Sequence, residues 1–104
     1  MNISTHATSE ILTALAHPNR IRIVEYLRKD VRCNCELAPA LKLEQSNLSR
    51  HLKILVQAGI LTSSKSGLRV NYEVADDRVF KLLDLAAELA RKGMERKAAA
   101  LQEA

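Results

Sequence analysis

The sequence predicts a mainly α domain carrying a small β-hairpin, and three observations support that prediction. Apolar residues recur at helical spacing at Leu48, Leu52, Leu55 and Val56, and again from Val79 to Ala90. Between these stripes the period becomes alternating, with Val70, Tyr72 and Val74 on every second residue behind a glycine-bearing turn. An apolar content of 47% with 3% aromatics and no Trp fits an aliphatic, helix-rich interior.

The elements follow in order. Thr5 or Thr8 is the expected cap of a first helix bearing Ile11, Leu12 and Leu15, which ends near Ala16-His17-Pro18. Pro18 suits the first turn of a second helix running to Arg28, with Ile21, Ile23, Val24 and Leu27 as its apolar positions. Asp30-Val31-Arg32 reads as a short extended segment beside the hairpin. A third helix covers Cys35 to Leu41, where Pro39 removes one backbone hydrogen bond and predicts some distortion. Lys42-Leu43-Glu44 is the turn into a fourth helix, Gln45 to Gln57, which stops at Ala58-Gly59. Ile60 to Ser64 and Val70 to Val74 read as strands joined by the turn Lys65-Ser66-Gly67-Leu68-Arg69, with Gly67 giving the tip its backbone freedom. From Asp77 a long helix carries Val79, Phe80, Leu82, Leu83, Leu85, Ala86, Leu89 and Ala90 on one side and Lys81, Asp84, Glu88, Arg91 and Lys92 on the other. That stripe is wider than a small core needs, so this helix and the first are expected to pair with a second copy. Past Gly93 the composition fits either continued helix or a frayed end.

A short helix, a turn, a polar-faced helix and then a hairpin make the layout of a winged helix-turn-helix, and DNA is the partner that layout implies. The fourth helix turns its leucines inward, so Gln45, Ser46, Asn47, Ser49, Arg50 and Lys53 face outward with His51 close behind. These are hydrogen-bonding and cationic groups suited to base edges and phosphates, and no carboxylate interrupts them before Gln57. Arg50 is the first candidate for base contact and Lys53 for phosphate. Lys65 and Arg69 flank the hairpin tip, where a wing lies against the sugar-phosphate backbone. The formal charge of +4 agrees with such a partner.

With 104 residues the chain is expected to be a single domain, residues 1–104, with a modest core completed by dimerisation. The opening Met1-Asn2-Ile3-Ser4-Thr5-His6 lacks the pattern of a secretory leader, and no apolar run approaches the ~18 residues that span a bilayer. A cytoplasmic protein with no membrane partner is therefore expected. An enzyme is not: the chain has no nucleophile-base pairing, no glycine-rich phosphate loop and no His-Glu-x-x-His.

The two cysteines, Cys33 and Cys35, are expected to be free thiols, because side chains two positions apart point in divergent directions. Thiolates are soft ligands that prefer trivalent arsenic or antimony and soft metal ions. Arg32 next door and the positive end of the third helix favour the thiolate form. In a regular helix residues two apart lie about 200° apart around the axis, so a shared ion would have to open the first turn. That deformation would pass through the following turn to the fourth helix. Two further readings stay open: oxidation to a disulfide, between subunits or with a small thiol, and simple burial as small apolar residues. His17 is expected to cap or pack at the helix junction, and His51 to support the fourth helix. No resident cofactor is required.

Taken together, four segments resemble the ArsR/SmtB family of metal-responsive repressors. They are Leu15 to Ile23 with its Ala16-His17-Pro18-Asn19-Arg20, then Cys33-Asn34-Cys35-Glu36-Leu37, then Gln45 to Lys53 with its Ser49-Arg50-His51-Leu52, and finally Leu55 to Tyr72. The resemblance implies a homodimer with a winged domain on each side, and repression relieved by an inducer. It implies an operator that is an imperfect inverted repeat, its half-sites ~34–36 Å or a multiple apart. It also implies base reading through Ser46, Asn47, Ser49 and Arg50, and arsenite, antimonite or a soft divalent metal at Cys33 and Cys35. The chain departs from the family's arsenic sensors at Ala38, where a third cysteine often stands. Its N-terminal arm offers His6 but no cysteine, and no histidine follows His51 to build a site on the last helix. A non-inducible winged helix that binds DNA or protein is the alternative of a different class.

Overall fold

The computed structural model describes residues 3–103 and contains five helices and three strands. These are α1 (Ile3–Leu15), α2 (Pro18–Tyr26), β1 (Arg32–Cys33), α3 (Asn34–Leu41), α4 (Gln45–Gln57), β2 (Leu61–Ser66), β3 (Arg69–Val74) and α5 (Arg78–Glu103). The winged helix-turn-helix order read from the sequence is present. No helix among the described residues is long and apolar enough to cross a membrane.

Local chemistry sets the boundaries. α1 already runs through Thr5 and Thr8, and the Thr8 hydroxyl donates to the Ser4 carbonyl at 2.7 Å, so neither threonine is the cap the sequence predicted. Any cap lies outside the described residues. His17 is extended and caps α2, its Nδ1 accepting from the Asn19 N–H at 3.1 Å, and Pro18 fills the first helical position where no N–H is needed. α3 runs through Pro39 to Leu41 and ends on Lys42 in the left-handed region (φ 56°). There the Leu43 N–H returns to the Ala38 carbonyl at 3.0 Å. α4 ends in the same manner at Gly59 (φ 81°), with the Ile60 N–H bonded to the Leu55 carbonyl at 3.0 Å.

The strands form an antiparallel sheet in the order β1-β3-β2. The hairpin turn is tighter than predicted: Lys65 and Arg69 belong to the strands, and only Gly67 (φ 65°) and Leu68 make the tip. Across it Leu61, Ser63 and Lys65 pair with Val74, Tyr72 and Val70 on one face, while Thr62, Ser64 and Ser66 pair with Glu73, Asn71 and Arg69 on the other. Leu61 is buried, so the first face is the inner one. β1 adds Cys33 opposite Asn71 and Arg32 opposite Tyr72.

Ile23 and Val24 of α2, Leu37 of α3, Leu48 and Leu55 of α4, and Ile60 and Leu61 leading into the wing form the centre of the core. α5 contributes Leu83 to it, with Val79, Phe80 and Leu82 packed alongside. Arg28 fixes α5 to α2, donating to Asp84 at 2.9 Å and lying over the Phe80 ring at 4.8 Å. Beyond this start α5 leaves the body of the molecule and remains helical through Glu103, giving the chain an extent of 60 × 38 × 23 Å. Leu85, Leu89, Met94 and Leu101 stay exposed along it.

Candidate nucleic-acid interface and thiol pair

α4 presents the outward residues as its period requires. Leu48, Leu52 and Leu55 are buried, and Gln45, Ser46, Asn47, Ser49, Arg50 and Lys53 are exposed. Arg50 donates to the Asn47 side-chain carbonyl at 2.8 Å, which holds the guanidinium and amide together on the open face. His51 does not share that face. It is half-buried, its ring 4.5 Å from that of His17 and its Nδ1 3.4 Å from Nη1 of Arg20.

The wing cations part company. Lys65 lies on the inner hairpin face with Ser63 and Tyr72, which with Ser49, Lys53 and Val56 line a shallow groove of about 240 Å³ beside α4. Lys65 and Lys53 therefore stand towards one side of the molecule. Arg69 lies on the opposite face, and its Nη2 donates towards the sulfurs of Cys33 at 3.2 Å and Cys35 at 3.5 Å. The same nitrogen is 3.6 Å from the Glu36 carboxylate. Arg69 is thus placed at the cysteine pair rather than beside α4.

The cysteines are joined as a disulfide, with their Cα atoms 5.2 Å apart, and the expectation of free thiols is corrected. A divergence of about 200° holds only where both residues are helical. Cys33 instead ends β1 and caps α3 with extended angles (φ −83°, ψ 158°), so its side chain turns towards that of Cys35 in the first helical turn. No turn has to open for the sulfurs to meet. Cys33 is 1% exposed, whereas Cys35 is open to solvent.

Glu36 organises this site. Its carboxylate accepts from the Cys33 N–H at 3.3 Å, from Arg32 at 3.4 Å and approaches Arg69. Arg32, expected to support the thiolates, is taken up by Glu36 and by the Tyr26 ring at 5.5 Å. Its Nε is buried without a hydrogen-bond partner, a cost of about 1–3 kcal/mol. The cation on the sulfurs comes from a strand 36 residues away in sequence, which no local reading could supply.

The Arg20 cluster was also missed. Arg20 donates to the carbonyls of Ala14 (2.5 Å) and Thr13 (3.4 Å) at the end of α1 while facing His51 on α4. Burial first, then the nearby charges of His17, Arg20 and Arg50, hold His51 below the ordinary histidine range. The pairing of His17-Pro18 with Arg20 three residues on was visible in the sequence, but its contact with His51 was not.

Residues 17–63 match the family model described as "Bacterial regulatory protein, arsR family". The HTH-type transcriptional repressor SmtB of Mycobacterium tuberculosis is 50% identical over 70 residues, 67% of this chain and 52% of that protein. The chain thus spans about half the length of that relative. The uncharacterized HTH-type transcriptional regulator MJ1325 of Methanocaldococcus jannaschii is 37% identical over 82 residues, 78% of this chain and 92% of its own. The crystal structure of M. tuberculosis Rv0081 superposes with a TM-score of 0.82 at 30% identity, covering 94% of this chain and 99% of that one. With α4, the wing and these matches in agreement, the chain belongs to the ArsR family of bacterial regulatory proteins.

Proposed function

We propose that the protein is a homodimeric, DNA-binding transcriptional repressor that leaves its operator when the Cys33 and Cys35 pair changes state. The observation that carries the DNA reading is the open face of α4, where Arg50 and Asn47 are already joined and no carboxylate intervenes. Lys53, which lines the groove between α4 and the wing, and Lys65, on the hairpin face shared with Ser63 and Tyr72, supply phosphate contacts. The exposed leucines of α5, with Leu12 of α1, supply the surface for a second copy. A two-fold dimer reads an inverted repeat.

In the reduced state the cysteine pair offers two converging soft donors, which fit arsenite, antimonite or a soft divalent metal ion. Among the described residues no group of three or more His, Cys, Asp or Glu side chains gathers to complete a larger ligand set. The site suits an inducer that keeps a solvent-derived or partner-subunit ligand. A second reading, thiol oxidation, is favoured by the bonded pair itself. Closing the bond passes two electrons and two protons from the thiols to an oxidant such as a hydroperoxide, which becomes an alcohol and water. Either event occurs against the Arg69 guanidinium, so its effect can reach the wing directly without bending α3.

The test is binding of the reduced protein to its own promoter DNA by fluorescence anisotropy, with random DNA as reference. Arsenite is titrated in one series and a hydroperoxide in another, each beside a Cys33→Ser, Cys35→Ser variant. Release of wild type and retention of the variant is the expected result, and the series that produces it identifies the inducer class. Equal release of the variant, or no release in either series, overturns the sensing role. Equal affinity for promoter and random DNA at moderate salt overturns operator reading and favours the non-inducible module.

A further inference from the structure

We infer that Arg20 is a positioning residue for DNA reading: its guanidinium seats the imidazole of His51, and so α4, against the end of α1. The inference rests on the DNA-binding reading of α4 and adds to it a residue outside the reading face.

Three elements converge on one side chain. Arg20 Nε and Nη2 donate to the carbonyls of Ala14 and Thr13 at 2.5 and 3.4 Å, in the last turn of α1, where the Thr13 carbonyl also accepts the Ala16 N–H at 3.2 Å. Nη1 faces His51 Nδ1 at 3.4 Å. The guanidinium donates in three fixed directions, which a lysine ammonium cannot reproduce from the same position. His51 follows Arg50 directly and lies one helical turn after Asn47, so its seat sets the rotation of the two residues that face the DNA. α1 is also a helix proposed to face the second subunit, and Arg20 therefore ties that interface to the reading helix.

The contact dictates a protonation state. Arg20 is always charged and can only donate, so His51 Nδ1 must accept and its proton must reside on Nε2. Protonation of Nδ1 would set two donors against each other beside a permanent cation. The other groups facing this imidazole give it no relief: His17 from the cap of α2, Arg20 from α2 and Arg50 from α4 itself. On α1 the nearby carboxylate is Glu10, which lines the same groove as Arg20 but is engaged by His6 at 2.8 Å.

Acidification should then act in two separable ways. Added positive charge strengthens attraction to any DNA, whereas loss of the seat weakens only sequence-specific binding. The informative quantity is the ratio of promoter to random-DNA affinity, measured by anisotropy between pH 7.5 and 5.0 at fixed salt. For wild type this ratio is expected to fall about ten-fold below pH 6.5, the scale of losing one hydrogen bond to a charged group. In His51→Gln, whose side-chain carbonyl accepts but does not titrate, the ratio should be flat across the range. Arg20→Ala and Arg20→Lys should both lower it about ten-fold at pH 7.5 and reduce its pH dependence. Circular dichroism at each pH ensures that folded protein is compared. An Arg20→Lys ratio equal to wild type at pH 7.5, or a His51→Gln profile that follows wild type, overturns the inference. Absence of any wild-type preference for the promoter at pH 7.5 instead overturns the DNA-reading proposal on which it rests.

Discussion

Leu89 gives the sharpest test of how two copies assemble. It lies on α5 beyond the point where that helix leaves the core, and 63% of its surface remains exposed. Truncation to alanine removes three carbons, about 2.4 kcal/mol for complete burial at ~0.8 kcal/mol per carbon group. Scaled to the surface still available to cover, this is about 1.5 kcal/mol per protomer, and about 3 kcal/mol in a symmetric pair where each copy loses it once. Leu89→Ala is therefore expected to raise the dimer dissociation constant about 150-fold. Sedimentation velocity over a dilution series reads this directly, with circular dichroism to show that the fold persists, since Leu89 is not part of the core. Leu68→Ala provides the control: the wing tip is fully exposed and far in sequence from α5, so its dissociation constant should equal wild type. A Leu89→Ala constant within about three-fold of wild type would refute the assignment of this face to a second copy.

Arg69→Ala removes the charged contact shared by both sulfurs, so the difference in promoter affinity between reduced and oxidised protein is expected to shrink at least about five-fold. Thiol counting should still find both cysteines, and an undiminished difference would send the signal back through α3. Gly59→Ala forces a side chain into a left-handed residue (φ 81°) with open space around it, so the cost is backbone strain alone, about 1–2 kcal/mol. It should appear as a lower urea midpoint with an unchanged slope. His51 is held neutral by burial and neighbouring cations, so below its ordinary value near 6.5 the unfolded chain binds a proton that the folded chain resists. Its contribution to stability is complete above that pH and is lost as the pH falls towards the lower folded value. Melting of wild type should drop more than that of His51→Gln between pH 7.5 and 5.5. Asp76, held down to about 2 by its bonds from Arg78, acts in the same direction at lower pH, with stability lost as the pH falls from 3.8 through 2. Asp76→Asn should flatten that part of the curve.

Much of the architecture was legible because it is periodic or locally punctuated. The stripe at Leu48, Leu52 and Leu55 fixed which side of α4 could face DNA, and Pro18 and Gly59 marked helix ends through backbone chemistry that needs no tertiary partner. Errors arose where one residue leaves the regular pattern or where contacts are long-range. Side chains two positions apart were expected to diverge, yet the extended cap conformation of Cys33 brings its sulfur to that of Cys35. Lys65 and Arg69 looked equivalent around Gly67 because the turn was drawn too wide, and the tighter hairpin places them on opposite faces. Arg32 is adjacent to Cys33 in the chain but spends its charge on Glu36, while the cation that reaches the sulfurs is set by strand pairing. Arg20 and His51 are separated by 31 residues, and only packing of α2 on α4 discloses their contact.

Strand parity has one more consequence for how such a protein can change. Residues on β3 alternate between a side that adjoins α4 and a side that adjoins the sulfurs, so the address of a cation is decided by whether its position is odd or even within the strand. Moving an arginine from position 69 to 70 would redirect it from the sulfurs to the α4 side without altering composition, charge or any residue of α4. Under the proposed function, responsiveness and DNA preference can therefore drift independently: one by shuffling basic residues between neighbouring wing positions, the other by substitution along α4.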